Sequence, residues 1–163
     1  MTNVQKRIPV AVLGATGMVG QRFIELLQGH PWFELVALAA SEGRAGHPYA
    51  EIAQWRLPGG DMPASVAALP VTACKPDALP GNVKIVFSAL PGDVAGEVEA
   101  DFARAGVAVF SNAKNYRMEP DVPLLIPEVN ADHAAALVEQ RKWRGDEGIQ
   151  SESRAVFYHR SVH

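Results

Sequence analysis

The feature that most constrains the fold of this chain is an apolar run followed by three evenly spaced glycines. Residues 9–13 are apolar, and Gly14, Gly17 and Gly20 follow with the spacing G-x-x-G-x-x-G. In a strand that turns into a helix, Gly14 allows a tight exit, Gly17 a close approach of the backbone to a pyrophosphate, and Gly20 close packing of the helix on the sheet. The context predicts a dinucleotide-binding turn, and a glycine turn without a ligand is the alternative.

Strand and helix patterns alternate along the rest of the chain, which predicts an α/β fold. We expect a Rossmann-like, doubly wound and mostly parallel sheet with helices on both faces. Strands are predicted at residues 9–13, 33–40, 70–72, 83–87, 107–110 and 124–126, and helices at residues 17–28, 92–104 and 131–144. Residues 41–63 hold many glycines and prolines, so a long irregular segment is expected there.

Helical spacing assigns a side to several residues of the predicted helices. The buried face of the first helix is expected to hold Val19, Phe23, Leu26 and Leu27, and the exposed face of the second helix Asp93, Glu97, Glu99 and Asp101. Asn130 is a residue type that caps helices, so it is expected to begin the third helix.

Composition is that of an ordinary globular protein and excludes several classes of function. The 163 residues allow one domain with a proper core, and a net charge of −3 provides no basic field for nucleic acid. No apolar run reaches the roughly 20 residues that a membrane span needs. Residues 1–7 lack the apolar stretch of a signal peptide. The single cysteine, Cys74, suits a reducing compartment, so a cytoplasmic location is expected.

The end of the second predicted strand determines which dinucleotide is expected. An acidic residue at this position binds the adenine ribose hydroxyl and favours NAD. Here the chain has Ser41, Glu42, Gly43 and Arg44. Ser41 can donate to a 2′-phosphate and Arg44 can pair with it, whereas Glu42 can accept from a bare ribose. NADP is expected in preference to NAD, and a solvated loop charge is the alternative for Arg44.

Six segments, beginning with the glycine turn, follow one another along the chain in the order of a known family. They read GATGMVGQRF from Gly14, ASE from Ala40, SALP from Ser88, SNA from Ser111, RMEPDVPL from Arg117 and IPEVN from Ile126. Over residues 8–148 the chain resembles aspartate-semialdehyde dehydrogenase of the archaeal and fungal-type branch. The resemblance implies NADPH-dependent reduction of β-aspartyl phosphate to the semialdehyde, with a cysteine nucleophile and a histidine acid/base. Malonyl-CoA reductase shares this branch and is the alternative.

The resemblance also implies which residues of this chain bind the cofactor. They lie in the glycine turn, at the end of the second strand and at the end of the strand 83–87, where open α/β sheets bind ligands. The expected cofactor-binding residues are Gly14, Thr16, Gly17, Met18, Val19, Ser41, Arg44, Ser88, Leu90 and Pro91.

For the substrate, the resemblance implies two residues. Asn112 is expected near the substrate and the nicotinamide. Arg117 is expected on the phosphate of the substrate, because its guanidinium is a planar and permanently charged fork. A surface ion pair with Glu119 or Asp121 is the alternative for Arg117.

The chain departs from the family pattern at three points. Gly43 stands where a basic residue usually follows the Ser-Glu pair. The Asn-Cys segment that would carry the nucleophile is missing after residue 149, and Cys74 lies elsewhere. The resemblance implies a catalytic and dimerisation domain that we expect to be absent from this chain, so no catalytic residue is assigned. Residues 1–148 are therefore predicted to be an NADP-binding domain, and residues 149–163 an aberrant or disordered tail, as from an altered reading frame or a truncated gene.

Several functions are compatible with these observations. The preferred one is the NADP-binding domain of an aspartate-semialdehyde dehydrogenase that is inactive alone. The others are an enzyme completed by a separately encoded catalytic domain, a non-catalytic module that senses NADPH, and a misfolded product with exposed apolar surface. The expected ligands are the cofactor and an acyl phosphate, with a homo-oligomer or a complementing domain left open. No nucleic acid, membrane or metal partner is expected, since His159 and His163 have no third ligand.

Overall fold

The computed structural model describes residues 6–137, which divide into two compact units at the boundary between Phe87 and Ser88. The described strands are β1 Ile8–Leu13, β2 Phe33–Ala40, β3 Val71–Ala73, β4 Ile85–Ser88 and β5 Ala108–Ser111. The described α-helices are α1 Met18–Leu27, α2 Tyr49–Ile52, α3 Ala64–Ala67, α4 Gly92–Arg104 and α5 Pro127–Asn130. Short 3-10 helices occur at Glu42–Arg44, Pro76–Ala78 and Ala131–Ala135.

The strands form a five-stranded sheet in the order β3-β2-β1-β4-β5. β1 pairs with β2, and β2 with β3, in parallel. The chain moves outward from β1 to β3 and then continues on the other side of β1 with β4, which is the doubly wound arrangement. The predicted Rossmann-like α/β fold is confirmed.

The core of the first unit forms around the C-terminal halves of β1 and β2. Residues 10–13 and 37–40 are buried without alternation, as expected of parallel strands that are covered on both faces. Apolar side chains from α1 and from the segments 49–53 and 66–71 complete this core. Burial of consecutive residues, rather than of every second one, explains why these strands read as continuous apolar runs.

α1 buries a different stripe from the predicted one. The buried residues of α1 are Gly20, Gln21, Ile24 and Leu27. Val19 and Leu26 were predicted to be buried but are exposed, so the prediction was wrong for these two residues. Gly20 lies against the backbone of the glycine turn. Gly20 must face the turn. Ile24 and Leu27 lie on the same side of α1 as Gly20, so they face the core.

α4, in the second unit, buries a stripe that includes a carboxyl group. Ala95, Glu99, Phe102 and Ala103 are buried, and the burial of Glu99 contradicts its predicted place on the exposed face. Asp93, Glu97 and Asp101 are exposed as predicted. The reason for the buried carboxyl is a pair of hydroxyl donors, described below.

The predicted strand at residues 124–126 is not present. Asn130 takes up the backbone groups of this segment, because its Nδ2 donates to Leu124 O at 2.7 Å and its Oδ1 accepts from Ile126 N at 2.6 Å. Asn130 precedes the 3-10 helix Ala131–Ala135 but makes no side-chain cap there. The remainder of the predicted helix 131–144, from residue 138, and the predicted tail 149–163 lie outside the described residues.

The segment 41–63 is not wholly irregular, because it contains the 3-10 helix Glu42–Arg44 and α2. An isolated antiparallel bridge joins Pro48 to Pro70. Between residues 6 and 137, the structure has no helix with the length and apolar character needed to cross a membrane.

Candidate functional site

The glycine turn between β1 and α1 depends on two of its three glycines for its own geometry. Gly14 has a φ of 73°, in the left-handed region that favours glycine. A Cβ on Gly20 would lie 2.3 Å from Gly14 O and 2.9 Å from Ala15 Cα, so helix and turn could not approach as they do. A Cβ on Gly17 would meet Gly14 O at 3.6 Å, an ordinary contact. Internal packing therefore does not require glycine at position 17.

The turn presents the beginning of α1 to the surface. Gly17, Met18 and Val19 are exposed, and α1 starts at Met18. The first N–H groups of a helix have no acceptor within the helix, and the aligned peptide dipoles make this end positive. Gly17 N–H is already bonded to Gly14 O at 3.1 Å, which closes the turn. This exposed end of a ten-residue helix suits a phosphate group.

Gln21 supports the turn from within the protein, a role that the sequence analysis did not assign. It is buried, and its Nε2 donates to Gln54 O at 2.7 Å and to Thr16 O at 3.4 Å. Its Oε1 accepts from Arg56 N at 2.8 Å. The signal for this role was a polar residue beside Gly20, on the helix stripe that has to pack against the turn.

Tyr49 is a second support that the sequence did not reveal. Its hydroxyl donates to Ala15 O at 2.6 Å, and the whole side chain is buried. Burial raises the pKa of Tyr49 to about 12, so the hydroxyl remains a donor at all physiological pH values. Tyr49 lies in the segment predicted to be irregular, where no periodicity marks a buried position.

Arg44 is brought to the glycine turn by the 3-10 helix that follows β2. Ser41 precedes this helix, and its carbonyl accepts from Arg44 N at 2.9 Å. The Arg44 Nη1 donates to Thr16 Oγ1 at 2.5 Å. Two of the predicted cofactor-binding residues, from different loops, are therefore in contact, and the exposed Ser41 begins the same short helix.

Glu42, the acidic residue of this loop, is engaged by a lysine from the next loop. Lys75 Nζ lies 2.5 Å from Glu42 Oε1. The hydrogen bond from Lys75 and its charge lower the pKa of Glu42, and Glu42 raises the pKa of Lys75 in the same way. Both groups are charged at neutral pH.

Cys74 is half-buried beside the same strand ends. Its Sγ donates to Ala40 O at 3.3 Å, and burial raises the pKa of the thiol. A protonated thiol is a weak nucleophile, which agrees with the prediction that Cys74 is an ordinary small residue. Within residues 6–137, no group of three or more His, Cys, Asp or Glu side chains is arranged to hold a metal ion.

The second unit holds the remaining predicted residues, and two of its strand ends meet at a buried carboxyl. The hydroxyls of Ser88 and Ser111 donate to Glu99 Oε1 at 2.5 and 2.6 Å. Burial raises the pKa of Glu99, and the two hydroxyl hydrogen bonds partly oppose this shift. Glu99 Oε2 is buried and has no hydrogen-bond partner among the described residues.

The predicted cofactor-binding residues near the end of β4 differ in their exposure. Ser88 is fully buried and its hydroxyl is bonded to Glu99, so its side chain is not available to a ligand. Leu90 is half-buried, and the exposed Pro91 precedes α4.

Residues 112–117 are attached to α4 and to the end of β4. Asn112 N donates to Ser88 O at 3.1 Å. Asn115 Nδ2 donates to Gly92 O at 2.8 Å, and the hydroxyl of Tyr116 donates to Gly96 O. Arg117, half-buried, has an Nε that is buried without a hydrogen-bond partner among the described residues.

The comparisons with known proteins agree with this geometry. The family model for the semialdehyde dehydrogenase, NAD binding domain, matches residues 9–137. An aspartate-semialdehyde dehydrogenase of Methanothermobacter thermautotrophicus is 53% identical over 142 residues, which cover 87% of this chain and 40% of that protein. One of Cryptococcus neoformans is 50% identical over 141 residues, which cover 85% of this chain and 38% of that protein.

Among solved structures, the crystal structure of aspartate-semialdehyde dehydrogenase with NADP from Candida albicans matches with a TM-score of 0.83 and 42% identity. The match covers 96% of this chain and 43% of that one. The chain thus spans about two fifths of the length of the relatives it matches. Because the family model covers most of its residues, the chain belongs to the semialdehyde dehydrogenase family, and residues 9–137 form the NAD-binding domain of that family.

Proposed function

We propose that this chain is the NADP-binding domain of an aspartate-semialdehyde dehydrogenase, with residues 1–148 as the domain. The observation that carries the proposal is the contact between Arg44 and Thr16 at a glycine turn whose Gly14 and Gly20 are required by geometry. A cation is thereby held beside an exposed helix N-terminus, an arrangement that suits the phosphates of a dinucleotide. The names of the relatives favour this family over malonyl-CoA reductase.

The residues of the first unit fit the two phosphate-bearing parts of NADP. The backbone of Gly14, Gly17, Met18 and Val19, with the Thr16 hydroxyl, would line the pyrophosphate at the beginning of α1. Bound NADPH would supply the hydride for the reaction.

The loop after β2 fits the extra phosphate of NADP. Ser41 would donate to the 2′-phosphate, and Arg44, a permanent cation with a planar fork, would pair with it. Arg44 already reaches Thr16, so one guanidinium can link the two phosphate positions.

For the second unit by itself, we propose contacts to the nicotinamide and to the substrate. Leu90 and Pro91, which follow the buried Ser88, would flank the cofactor, and Asn112 would lie near the nicotinamide. Arg117 would bind the phosphate of the acyl phosphate, for which its buried Nε without a partner among the described residues is a suitable donor. Held by Asn115 and Tyr116 on α4, the segment would position Arg117 without a change in the helix.

The covalent step of the proposed reaction needs a thiolate that this chain does not provide at Cys74. Cys74 is the one cysteine of the chain, and its thiol is kept protonated by burial. We therefore propose cofactor binding without turnover by this chain alone. A cytoplasmic location and either a homo-oligomer or a complementing domain remain predictions from the sequence.

Replacement of Arg44 tests the proposal. The full chain with Arg44→Ala should bind NADP⁺ about tenfold more weakly than the unmodified chain in a calorimetric titration, because a charged hydrogen bond to phosphate is lost. Arg22→Ala removes an exposed arginine on α1 that pairs with Glu25, and it serves as the matched control. Equal NADP⁺ affinities of the Arg44 and Arg22 variants would contradict the assignment of Arg44.

A further inference from the structure

Three loops of the first unit meet at the carboxyl ends of neighbouring parallel strands. The glycine turn follows β1, the 3-10 helix Glu42–Arg44 follows β2, and Cys74 with Lys75 follows β3. Side chains link all three, because Arg44 donates to Thr16, and Lys75 pairs with Glu42. The loop after β3 is therefore part of the surface on which the cofactor is proposed to bind.

Glu42 is the residue of this surface that works against a 2′-phosphate. A carboxylate at the end of β2 is the group that accepts a hydrogen bond from the bare ribose of NAD. The same carboxylate would repel the 2′-phosphate of NADP at a distance of a few ångströms. The sequence alone leaves this conflict between Glu42 and Arg44 unresolved.

Lys75 is the cation that faces this carboxylate in the structure. Its Nζ lies 2.5 Å from Glu42 Oε1, so it occupies that oxygen and places a positive charge beside the carboxylate. Burial does not explain the pair, since the side chains of Lys75 and Glu42 are 60% and 73% exposed. The nearby Asp77 also favours the charged form of Lys75, so the ammonium persists at neutral pH.

We infer that Lys75 is a specificity-determining residue that sets the preference for NADP over NAD by engaging Glu42. The inference rests on the proposed function and adds to it a residue from the third strand. Lys75 acts through Glu42: with Lys75 present, Arg44 and Ser41 meet the phosphate without a competing charge. Without Lys75, the freed carboxylate accepts from a ribose hydroxyl and repels a phosphate.

A role in stability makes a different prediction from a role in selectivity. An exposed ion pair contributes little to folding, because both charges remain solvated when the pair is broken. Removal of Lys75 should therefore leave the thermal unfolding midpoint nearly unchanged while the ratio of the two cofactor affinities changes.

The test is a double-mutant cycle on the full chain. Calorimetric titrations with NADP⁺ and with NAD⁺ at low ionic strength would compare the unmodified chain, Lys75→Gln, Glu42→Gln and the double variant. Lys75→Gln should lower the NADP⁺-to-NAD⁺ affinity ratio about tenfold, a change of ~1.4 kcal/mol. Glu42→Gln should leave the ratio at or above its original value, and the double variant should restore it to within about threefold.

Lys84→Gln is the matched control, because it makes the same change in charge on an exposed residue at the other end of the sheet. Lys84 N bonds to Pro9 O near the beginning of β1. An equal ratio in the Lys75 and Lys84 variants would overturn the inference. So would a double variant with a ratio as low as that of Lys75→Gln, since Lys75 would then act without Glu42.

The failure of the inference is distinguishable from that of the proposed function. If the unmodified chain is folded by circular dichroism and binds neither dinucleotide, both are wrong. If it binds NADP⁺ selectively and Lys75→Gln changes nothing, only the inference is wrong.

Discussion

The turn after β1 is held by neutral side chains, whereas the C-terminal ends of β4 and β5 are held by an ionisable one. Around the glycine turn, the supporting groups are neutral and hydrogen-bonded: Tyr49 donates to Ala15 O, and Gln21 bonds to three backbone groups. At the ends of β4 and β5, a buried carboxyl accepts two hydroxyls through one oxygen and leaves the other without a partner among the described residues.

Because of this difference, we expect the two regions to respond to different perturbations. The glycine turn is constrained by close backbone approach, so added volume should damage it, whereas pH should not. The strand ends of the second unit depend on an ionisable group in a buried place, so they should be sensitive to pH as well as to truncation.

Added volume at Gly20 should have the largest effect. Gly20→Ala places a Cβ 2.3 Å from Gly14 O, and backbone atoms cannot yield as a flexible side chain would. We expect a loss of about 3 kcal/mol or more in the free energy of unfolding, measured by urea denaturation. Gly81→Ala, at an open position without positive φ, is the control and should change stability by less than about 1 kcal/mol. Similar curves for both variants would refute the close approach.

Loss of the buried carboxyl should come next. Glu99→Ala removes the acceptor of the Ser88 and Ser111 hydroxyls and leaves a cavity. We expect a loss of about 2–3 kcal/mol in the free energy of unfolding, since each stranded buried donor costs roughly 1–3 kcal/mol. A loss below about 0.5 kcal/mol would mean that the cluster does not hold the two strand ends.

The matched variant Glu99→Gln tests the pH side of the comparison. Burial raises the pKa of Glu99 above its ordinary value of 4.5, so its contribution is fully present below that pH. The contribution is lost as pH rises through the raised pKa of the folded state. The stability of the unmodified chain should therefore fall relative to that of Glu99→Gln as pH increases above about 4.5. Parallel stability profiles between pH 4 and 8 would contradict the shift.

The smallest effect is expected at Tyr49. Tyr49→Phe keeps the ring and removes the hydroxyl that donates to Ala15 O, which should cost about 1–2 kcal/mol of stability. Because the hydroxyl stays protonated, this loss should be the same at pH 6 and pH 9. If the loss of stability differed between pH 6 and pH 9, an ionisable group would have to contribute to the turn, contrary to this expectation.

The same contrast explains how far the sequence alone could lead. The doubly wound fold and the glycine turn were predictable because apolar runs, glycine spacing and helical periodicity are local patterns. The limits of β2 and α4 coincide with the predicted ones for the same reason.

The wrong predictions for Glu99 and for the segment 124–126 have one physical cause. In both, a hydrogen-bond partner elsewhere in the fold outweighs the local sequence pattern. Glu99 was predicted to lie on the exposed face of its helix, but the hydroxyls of Ser88 and Ser111 donate to it and make its burial tolerable. The segment 124–126 was predicted to be a strand from its apolar residues, but Asn130 satisfies its backbone instead.

In the candidate site too, local features were predictable from the sequence and contacts between distant loops were not. The position of Ser41 and Arg44 directly after β2 was predictable from the sequence, whereas the Glu42–Lys75 pair joins loops that are far apart in sequence. Partners of that kind become visible only when the strand order is known.

A calorimetric titration of the unmodified full chain with NADP⁺ and, in parallel, with NAD⁺ tests cofactor binding itself. We expect saturable binding of NADP⁺ with one site per chain and a weaker affinity for NAD⁺. Absence of binding to either dinucleotide, by a chain that is folded by circular dichroism, would contradict this expectation and would leave the glycine turn with a structural role only.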